Sequence, residues 1–440
     1  MKFTKKATSS MKKILILILL IITTLTGFAQ TPSLEFSTAS GPAGSGPATT
    51  DQVITFRQNT DNPTANAVAA FTTPTITATF ALINQRFTMT PTPSVGLSFG
   101  ATINGASANA ASNALFPLMS AISSPTDNMF TSLRTITATT GITAASNNAV
   151  AIFTSTRPLF DGDSLRNGRY YYGDLIITFS TPVNNPVIHV VGLGGAVGTT
   201  PPLGLTTELE LITPNTSISK LSGNTNLLLS GLQILNSATN PTASSVGGAA
   251  TGSILVTGDN LKTLTFKVYM EGDGVGSTWN STTTQHSGDL WLMGVSLETP
   301  ITLSGNVYND TDATTNINGT GTGTPGGTQV YATLVDGLGK TVQSMAVAAG
   351  GAYSFTGTFA GNYTMQLSTT LGTQGTTAPT VSVPAGWGYI GEDCCDNVGN
   401  DGTANGIVAI NVGISNLSNV NFGIKSCPTP QCVPLMIQKL

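Results

Sequence analysis

Apolar and polar residues alternate in short runs along most of the chain. In the clearest run, LTFKVYME at 264–271, every second residue is apolar. A period of two residues is typical of a strand that buries one face. Turn residues separate similar runs elsewhere, namely QVITF, DLIITFS, PVIHVVGL, TTELELI and LWLMGVSL. The pattern predicts many short antiparallel strands.

Helical patterns are scarce in the same sequence. Only the Ala-rich stretch at 107–122 could form a helix, and Pro117 interrupts it. Because helix-length amphipathic segments are otherwise missing, βαβ architectures are not expected. The predicted fold class is all-β, with tandem β-sandwiches.

A boundary is predicted at TPITLSG, residues 299–305. Seven further short strands follow it, namely ITLSGNVYND, TQVYATLVD, TVQSMAVA, AYSFTGTF, NYTMQLS, GIVAINVG and NVNFGI. This spacing predicts a small second sandwich. The predicted domains are a signal peptide at 1–29, a flexible leader at 30–50, a head region of one or two subdomains at 51–298, a second sandwich at 299–425 and a Cys/Pro-rich tail at 426–440.

The N-terminus has the order of a secretory signal peptide. Five lysines precede the apolar run at 14–25, and Gly27-Phe28-Ala29 places small residues at a cleavage site. The apolar run is too short to span a bilayer, and no later segment is long and apolar enough to do so. We therefore expect an exported, extracellular protein that is associated with the cell surface and has no transmembrane segment in its mature form.

Composition excludes some partners. Removing the five leader lysines from 17 basic residues leaves 12 against 21 acidic residues, a net charge of −9. An acidic surface repels phosphate backbones, so nucleic acid is not an expected partner. Charged residues make up only 9% of the chain, whereas about 25% is usual for a globular protein.

The second sandwich resembles a known family. Residues 301–425 resemble the B-type repeat of serine-aspartate surface adhesins. The resemblance rests on GNVYND, VYATLVD, AGGAYSF, GNYTMQL and VNFGIK. It implies a prealbumin-like sandwich that serves as a stalk beside a ligand-binding head and is often stiffened by calcium.

Two departures from that family are visible. Related collagen-adhesin domains form a Lys–Asn isopeptide bond from their first strand, whereas ITLSGNVYND contains no Lys. The acidic loop is also thin, because Asp310 and Asp312 are followed by Thr and Asn residues. The resemblance therefore implies no required cofactor and at most a weak calcium site at Asp310 and Asp312.

The head has a looser resemblance and a candidate ligand site. Residues 160–297 resemble a lectin-like head domain of fibrillar bacterial adhesins, through YYYGDLIITFSTPVNNPVIHVVGLGG, ATGSILVTGDNLKTLTFKVY and GDLWLMGVSL. Aromatic rings beside Asp and Arg can hold sugars or peptide side chains. The candidate ligand residues are Asp161, Asp163, Arg166, Arg169, Tyr170 and Tyr172. The alternative is that these tyrosines fill the core and the charges solvate a turn.

Motifs that would indicate catalysis fail in context. GLSFG at 96–100 matches a nucleophile elbow, but its alternation is that of a strand. GLGGAVG at 192–198 has the wrong glycine spacing for a dinucleotide site, and paired prolines follow it. His189, among apolar neighbours on a strand, is expected to be structural. We therefore expect no catalytic residues.

The Asp-rich stretch GEDCCDNVGNDGTANG at 391–406 is expected to be a surface loop. It matches no EF-hand spacing. Four cysteines in an exported chain favour disulfides, although the sequence leaves three connectivities open. We expect Cys394 and Cys395 to avoid pairing with each other, and at least one of them to bond Cys427 or Cys432, clamping the loop to the tail.

The sequence favours the first of three functions, and the other two stay open as alternatives. The first is an adhesin-like protein whose head binds an extracellular protein or glycan, without catalysis. The second is a secreted carbohydrate-active enzyme that uses Asp161, Asp163 and Asp174. The third is a structural fibre subunit that binds copies of itself.

Overall fold

The computed structural model describes residues 34–60, 68–70, 75–87, 96–102, 111–132, 141–162, 164–197, 203–273, 279, 288–312, 316–395, 403–413 and 415–427. The predicted signal peptide, Asp163 and Cys432 lie outside these residues. Nearly all regular structure in the described part is β, which confirms the predicted fold class.

The first sandwich consists of two main sheets. The larger has the order β15 (Leu227–Ser230), β16 (Gln233–Asn236), β13 (Leu203–Leu211), β18 (Leu261–Gly272), β10 (Arg169–Val183), β5 (Thr77–Ile83) and β2 (Gln52–Thr55), with β12 (Gly195–Val197) on β13. The other has the order β14 (Ser217–Gly223), β17 (Ala250–Thr257), β11 (Val187–Leu193), β19 (Gly288–Ser296), β9 (Val150–Ser155) and β6 (Leu97–Phe99). The strand pairs within both sheets are antiparallel.

Strand β18 shows why this sequence forms a sandwich. Its apolar positions, from Leu264 to Met270, are completely buried, whereas Tyr269 and Glu271 on the other face are half-buried. Because successive side chains of a strand point to opposite faces, one face packs in the core and the other meets solvent. The predicted alternation is confirmed.

The prediction of a loose leader at 30–50 is wrong for residues 34–50. Strand β1 (Leu34–Glu35) pairs with β3 (Arg57–Asn59), which pairs with β4 (Val68–Ala70). Phe36 is buried, and its ring centroid lies 4.9 Å from that of Phe56. Burial of these aromatic rings in the first core anchors a segment whose composition alone suggested disorder.

The helical alternative for 107–122 is also wrong in its described part. Residues 111–112 form β8 (Ala111–Ser112), which pairs with β7 (Ala101–Thr102), and Met119–Ala121 is a single 3₁₀ turn. Other 3₁₀ turns lie at Asp127–Met129 and Pro325–Gly327, and α1 is the short helix Arg157–Asp161. No helix in the described ranges is long and apolar enough to cross a membrane.

The second sandwich begins at β20. One sheet has the order β21 (Thr320–Gly321), β20 (Ile301–Asn309), β28 (Val420–Ser426) and β26 (Trp387–Cys394), with β24 (Ala352–Thr358) also on β20. The other has the order β23 (Thr341–Ala346), β22 (Tyr331–Val335), β25 (Gly361–Ser368) and β27 (Ile407–Val412). The pairing of β20 with β28 is parallel. The seven predicted strands are present, and β26 and β21 are additional.

The two sandwiches are in direct contact. Phe359, from the second sandwich, is buried among the core residues of the first. Asn184 donates through Nδ2 to the carbonyl oxygen of Ala360 (3.1 Å) and to the hydroxyl of Tyr363 (2.6 Å). The two sandwiches therefore share a packed junction, while the predicted domain limits stay a prediction.

Candidate functional site

Three neighbouring strands carry a cluster of charged and aromatic residues on the outer face of the larger sheet. The register places Tyr171 of β10 opposite Tyr269 of β18, and Tyr269 opposite Glu208 of β13. Two residues further along, on the same face, Arg169 lies opposite Glu271. We call Arg169, Tyr171, Glu208, Glu210, Tyr269 and Glu271 the outer-face cluster.

Arg169 is the centre of this cluster. Its Cζ lies 3.4 Å from the centroid of the Tyr269 ring, which is a cation–π contact. Its Nε is 2.6 Å from Oε2 of Glu208, and its Nη1 is 3.6 Å from Oε2 of Glu210. Glu208 is almost completely buried. The guanidinium group is therefore held by the aromatic face of Tyr269 on β18 and by two carboxylates of β13, the strand beyond it.

Glu271 and Glu208 form a carboxyl pair beside the arginine. The two side chains interact with each other at close range. Burial and then the charge of Glu208 raise the pKa of Glu271 to about 7, although Arg169 acts in the opposite direction. Glu271 can therefore exchange a proton with solvent near neutral pH.

A cavity of about 330 Å³ lies next to this carboxyl pair. Glu208, Glu271 and Asp273 contribute to its wall together with Asn and Thr side chains. The carboxylate of Asp273 accepts a hydrogen bond from the backbone N–H of Gly204 at 2.8 Å, which orients that group. The cavity wall therefore offers hydrogen-bonding groups for a polar ligand. These groups stand on a sheet whose other face is packed in the core, so their positions are fixed.

Tyr171 extends the cluster along β10. Its hydroxyl donates to Oδ1 of Asp174 at 2.9 Å, and Asn84 donates to the other carboxylate oxygen of Asp174 at 2.7 Å. Burial and the hydrogen bond to Asp174 raise the pKa of Tyr171 to about 12. The Tyr171 ring lies 5.7 Å from that of Tyr269 in an edge-on arrangement. Asp174 is thus occupied in orienting an aromatic pair.

The structure separates the predicted ligand residues. Tyr172 is completely buried, and its hydroxyl donates to the carbonyl oxygen of Ser155 at 2.7 Å. Tyr170 packs against the same core and donates to the carbonyl oxygen of Leu165 at 3.0 Å. Both hydroxyls thus have structural partners, Tyr170 is half-buried, and the binding role of the two tyrosines stays a prediction.

The predicted charged residues also lie apart. Asp161 pairs within α1 with Arg157, Nε to Oδ2 at 2.9 Å. The Arg166 carbonyl group lies against Gly272, and Nε of Arg166 is buried. Of the predicted ligand residues that the structure describes, only Arg169 belongs to the outer-face cluster. The binding role of the others stays a prediction.

Sequence reasoning missed most of the cluster. Its signals were the polar faces of TTELELI, which holds Glu208 and Glu210, and of LTFKVYME, which holds Tyr269 and Glu271. Each run was recognised as a strand with one polar face. Nothing in either run indicated that β13 and β18 are neighbours in one sheet.

His189 and Ser98 are residue types that often act in catalysis, but here both are buried in strands. Nδ1 and Nε2 of His189 lie 2.8 Å from the hydroxyls of Ser253 and Ser296, respectively. Burial lowers the pKa of His189 to about 3, so the ring is neutral at physiological pH. Ser98 is buried in β6, which confirms a strand rather than a nucleophile elbow.

The cysteines pair differently from the prediction. Cys394 and Cys395 form a disulfide with each other, and Cys427 is free and exposed. The predicted clamp is wrong for a geometric reason. Antiparallel pairing places Ser426 opposite Trp387, whereas Cys394 lies opposite Val420. At about 3.4 Å per residue, Cys427 is roughly 24 Å from Cys394, and a disulfide needs its two Cα atoms within about 7 Å.

The Asp-rich stretch is only partly a loop. Gly391–Cys394 belongs to β26, and Glu392 and Asp393 are buried rather than exposed. Oε1 of Glu392 accepts hydrogen bonds from the backbone N–H groups of Asn405 and Gly406. These bonds tie the far end of the stretch to β26. The prediction of a surface loop is wrong for Gly391–Cys394, whereas residues 403–405 are irregular and exposed.

The calcium prediction concerns Asp310 and Asp312. Asp310 is completely buried, and its Oδ2 accepts a hydrogen bond from the N–H of Asn318 at 3.3 Å, whereas Asp312 is exposed. Within the described ranges, no three His, Cys, Asp or Glu residues are grouped as metal ligands. Calcium binding stays a prediction. It rests on the carboxylates of Asp310, which is buried, and Asp312, which is exposed.

Comparison with known proteins assigns no family. No family model matches, and no curated protein matches. The major pilin subunit BcpA of Bacillus cereus aligns over 58% of this chain and 65% of its own length, with 9% identity and a TM-score of 0.17. A point variant of it aligns over 58% of this chain and 64% of its own length, with 9% identity and a TM-score of 0.18. The T6 backbone pilin of serotype M6 Streptococcus pyogenes aligns over 83% and 84%, with 8% identity and a TM-score of 0.13. TM-scores this low establish no shared function.

Proposed function

We propose that this protein is an extracellular, surface-associated binding protein whose first sandwich holds a polar ligand at the outer-face cluster. The observation that carries the proposal is the cavity beside Glu208 and Glu271, next to an arginine stacked on Tyr269. Aromatic, guanidinium and carboxylate groups on one face are suited to binding glycans or peptide side chains. The ligand is therefore an extracellular glycan or protein.

The second sandwich would present this head. Phe359 packs in the core of the first sandwich, and Asn184 of the first sandwich donates two hydrogen bonds to the second. These contacts would hold the head at a fixed orientation. This role agrees with the adhesin resemblance of residues 301–425. The packed junction therefore supports a stalk role for the second sandwich in an adhesin-like surface protein.

The proposal includes no catalysis. Glycosidases separate their two carboxyl groups by about 5–9.5 Å to admit a nucleophile or a water. The Glu208 and Glu271 side chains instead interact with each other at close range. Asp161 and Asp174, which the enzyme alternative needs, are engaged with Arg157 and with Tyr171 and Asn84.

A glycan and extracellular-matrix array probed with the mature protein tests the proposal. At pH 8, above the pKa of about 7, Glu271→Gln removes one carboxylate from the cavity wall at almost constant volume. We expect it to weaken binding to the array's best ligand by about tenfold, the effect of one charged hydrogen bond. Asp161→Asn is the matched control, because Asp161 is exposed and outside the cavity wall, and it should bind normally.

Two results would contradict this function. One is equal binding by the Glu271→Gln and wild-type proteins, when melting temperatures show that both are folded. The other is release of reducing ends from glycans on the same array, which would favour the enzyme alternative.

A further inference from the structure

The junction between the sandwiches has two halves. We call the half that contains Asn184 the bonded half and the half with a cavity the open half. In the bonded half, the turn that contains Asn184 contacts Ala360 and Tyr363. In the open half, a cavity of about 770 Å³ separates two other turns of the first sandwich from the hairpin at 336–340. This volume lies within the range of small-molecule sites, about 300–1,000 Å³.

Contacts around the open half fix its walls. Asn260 donates through Nδ2 to Oδ2 of Asp336 at 3.1 Å, so a hydrogen bond joins the two sandwiches at the cavity wall. Oδ1 of Asp336 accepts the N–H groups of Leu338 and Lys340, both at 2.9 Å, and so holds the hairpin in shape. Asn260 and Asn215 have φ angles of 56° and 57°, which fix two left-handed turn positions on the opposite wall.

The cavity wall has balanced charge. Asp259 and Asp336 are matched by Lys262 and Lys340. Lys262 donates one hydrogen bond to the carbonyl oxygen of Ser180, and an ammonium group has three donors, so capacity to donate remains. This balance argues against a strongly anionic or cationic ligand, because neither sign predominates.

The remaining wall chemistry is suited to hydroxyl groups. Threonine hydroxyls and asparagine amides line the cavity, and each of these groups can both donate and accept hydrogen bonds. The walls are mostly turns, so an extended peptide finds little strand edge with which to pair.

From this geometry we infer that the junction cavity is a second binding site, distinct from the outer-face cluster, for a neutral oligosaccharide. The ligand would contact both sandwiches at once. Its hydroxyls would bond the Asn and Lys side chains, and its apolar face would lie against Leu261 and Leu338.

A steric variant tests the site without disturbing the fold. A Cβ built at Gly337 meets no atom within 4 Å, so Gly337→Trp would project into open space at the cavity wall. Gly350→Trp is the matched control, because Gly350 also has nothing within 4 Å and is outside the wall. Both variants of the mature chain should melt like the wild type.

The probes are maltotriose, cellotriose, laminaritriose and tri-N-acetylchitotriose, measured by saturation-transfer NMR and titration calorimetry. We expect at least one to bind, Gly337→Trp to weaken it by at least about tenfold, and Gly350→Trp to leave it unchanged. Lys340→Ala should also weaken it. Glu271→Gln should not, which separates this site from the outer-face cluster.

The inference is overturned by any of three results. No probe binds up to about 10 mM, a concentration that covers weak saccharide sites. Binding is equal in the two Trp variants. A sialylated trisaccharide or a lysine-rich peptide binds in the cavity while every neutral probe fails.

Discussion

Two buried titratable groups should give the stability of this protein an unusual dependence on pH. His189 is held between two serine hydroxyls, and burial lowers its pKa to about 3. In the unfolded chain a histidine titrates near 6.5. Below pH 6.5 this histidine is therefore protonated in the unfolded state but not in the folded state, and the free energy of unfolding falls. Between pH 7 and pH 5 this loss is about 2 kcal/mol.

Asp289 has the opposite effect. Its Oδ2 accepts the N–H groups of Gly194 (2.9 Å) and Thr207 (2.8 Å), yet burial raises its pKa to about 6. An unfolded aspartate titrates near 3.9. As pH falls through 6 the folded state takes up a proton first, so stability rises. The gain between pH 7 and pH 5 is about 1.3 kcal/mol.

Urea unfolding at pH 7 and pH 5 separates the two effects. Relative to the wild type, His189→Gln should be spared about 2 kcal/mol of the acid-induced loss, and Asp289→Asn should lose about 1.3 kcal/mol more. Groups common to all three proteins, Glu271 among them, cancel in these differences. Unchanged m-values would show that the same surface unfolds in each protein.

The reasoning fails if the three proteins change in parallel. A common pH dependence, within about 0.5 kcal/mol, would mean that neither group titrates differently in the folded state. A variant that becomes less stable by the same amount at both pH values has lost packing or hydrogen bonds rather than a proton-linked effect.

Three further predictions follow from other parts of the molecule. Calcium at 10 mM should stabilise the protein by about 1.4 kcal/mol if residues 299–425 bind it with a Kd near 1 mM, and unchanged melting in calcium and in chelator would remove the ion. Non-reducing peptide mapping should recover Cys394 and Cys395 in one internally bonded peptide; a link to any other cysteine would contradict the structure. Carboxyl NMR should show Glu271 titrating near pH 7, with a pKa that falls in Glu208→Gln, and an unaffected titration would disprove the effect of the Glu208 charge on Glu271.

Local patterns predicted the strands well. The alternation at 264–271 correctly gave the buried face of β18, and the same reasoning assigned Ser98 to a strand and His189 to the interior. These successes share a cause. Side-chain direction in a strand has a period of two residues, so a few neighbouring residues decide which face is buried.

Local patterns were less informative where the prediction rested on amino-acid composition rather than on a period of two residues. Residues 34–50 are rich in Gly, Ser, Pro and Thr, which indicated a leader, yet Phe36 is fixed by aromatic rings distant in sequence. Likewise, the run of acidic residues at 391–394 suggested solvent exposure, whereas pairing of β26 with β28 buries Glu392 and Asp393.

The candidate sites were decided by tertiary structure alone. The outer-face cluster forms because β13 and β10 both pair with β18, which brings Glu208 to Arg169 across 39 positions of sequence. The junction cavity needs the hairpin at 336–340 to meet turns of the first sandwich, and the clamp fails because β28 runs antiparallel to β26. Alternation specifies which face of a strand is buried, but it is nearly the same in every strand. Strand order and register arise from the packing of whole faces, which no short segment contains.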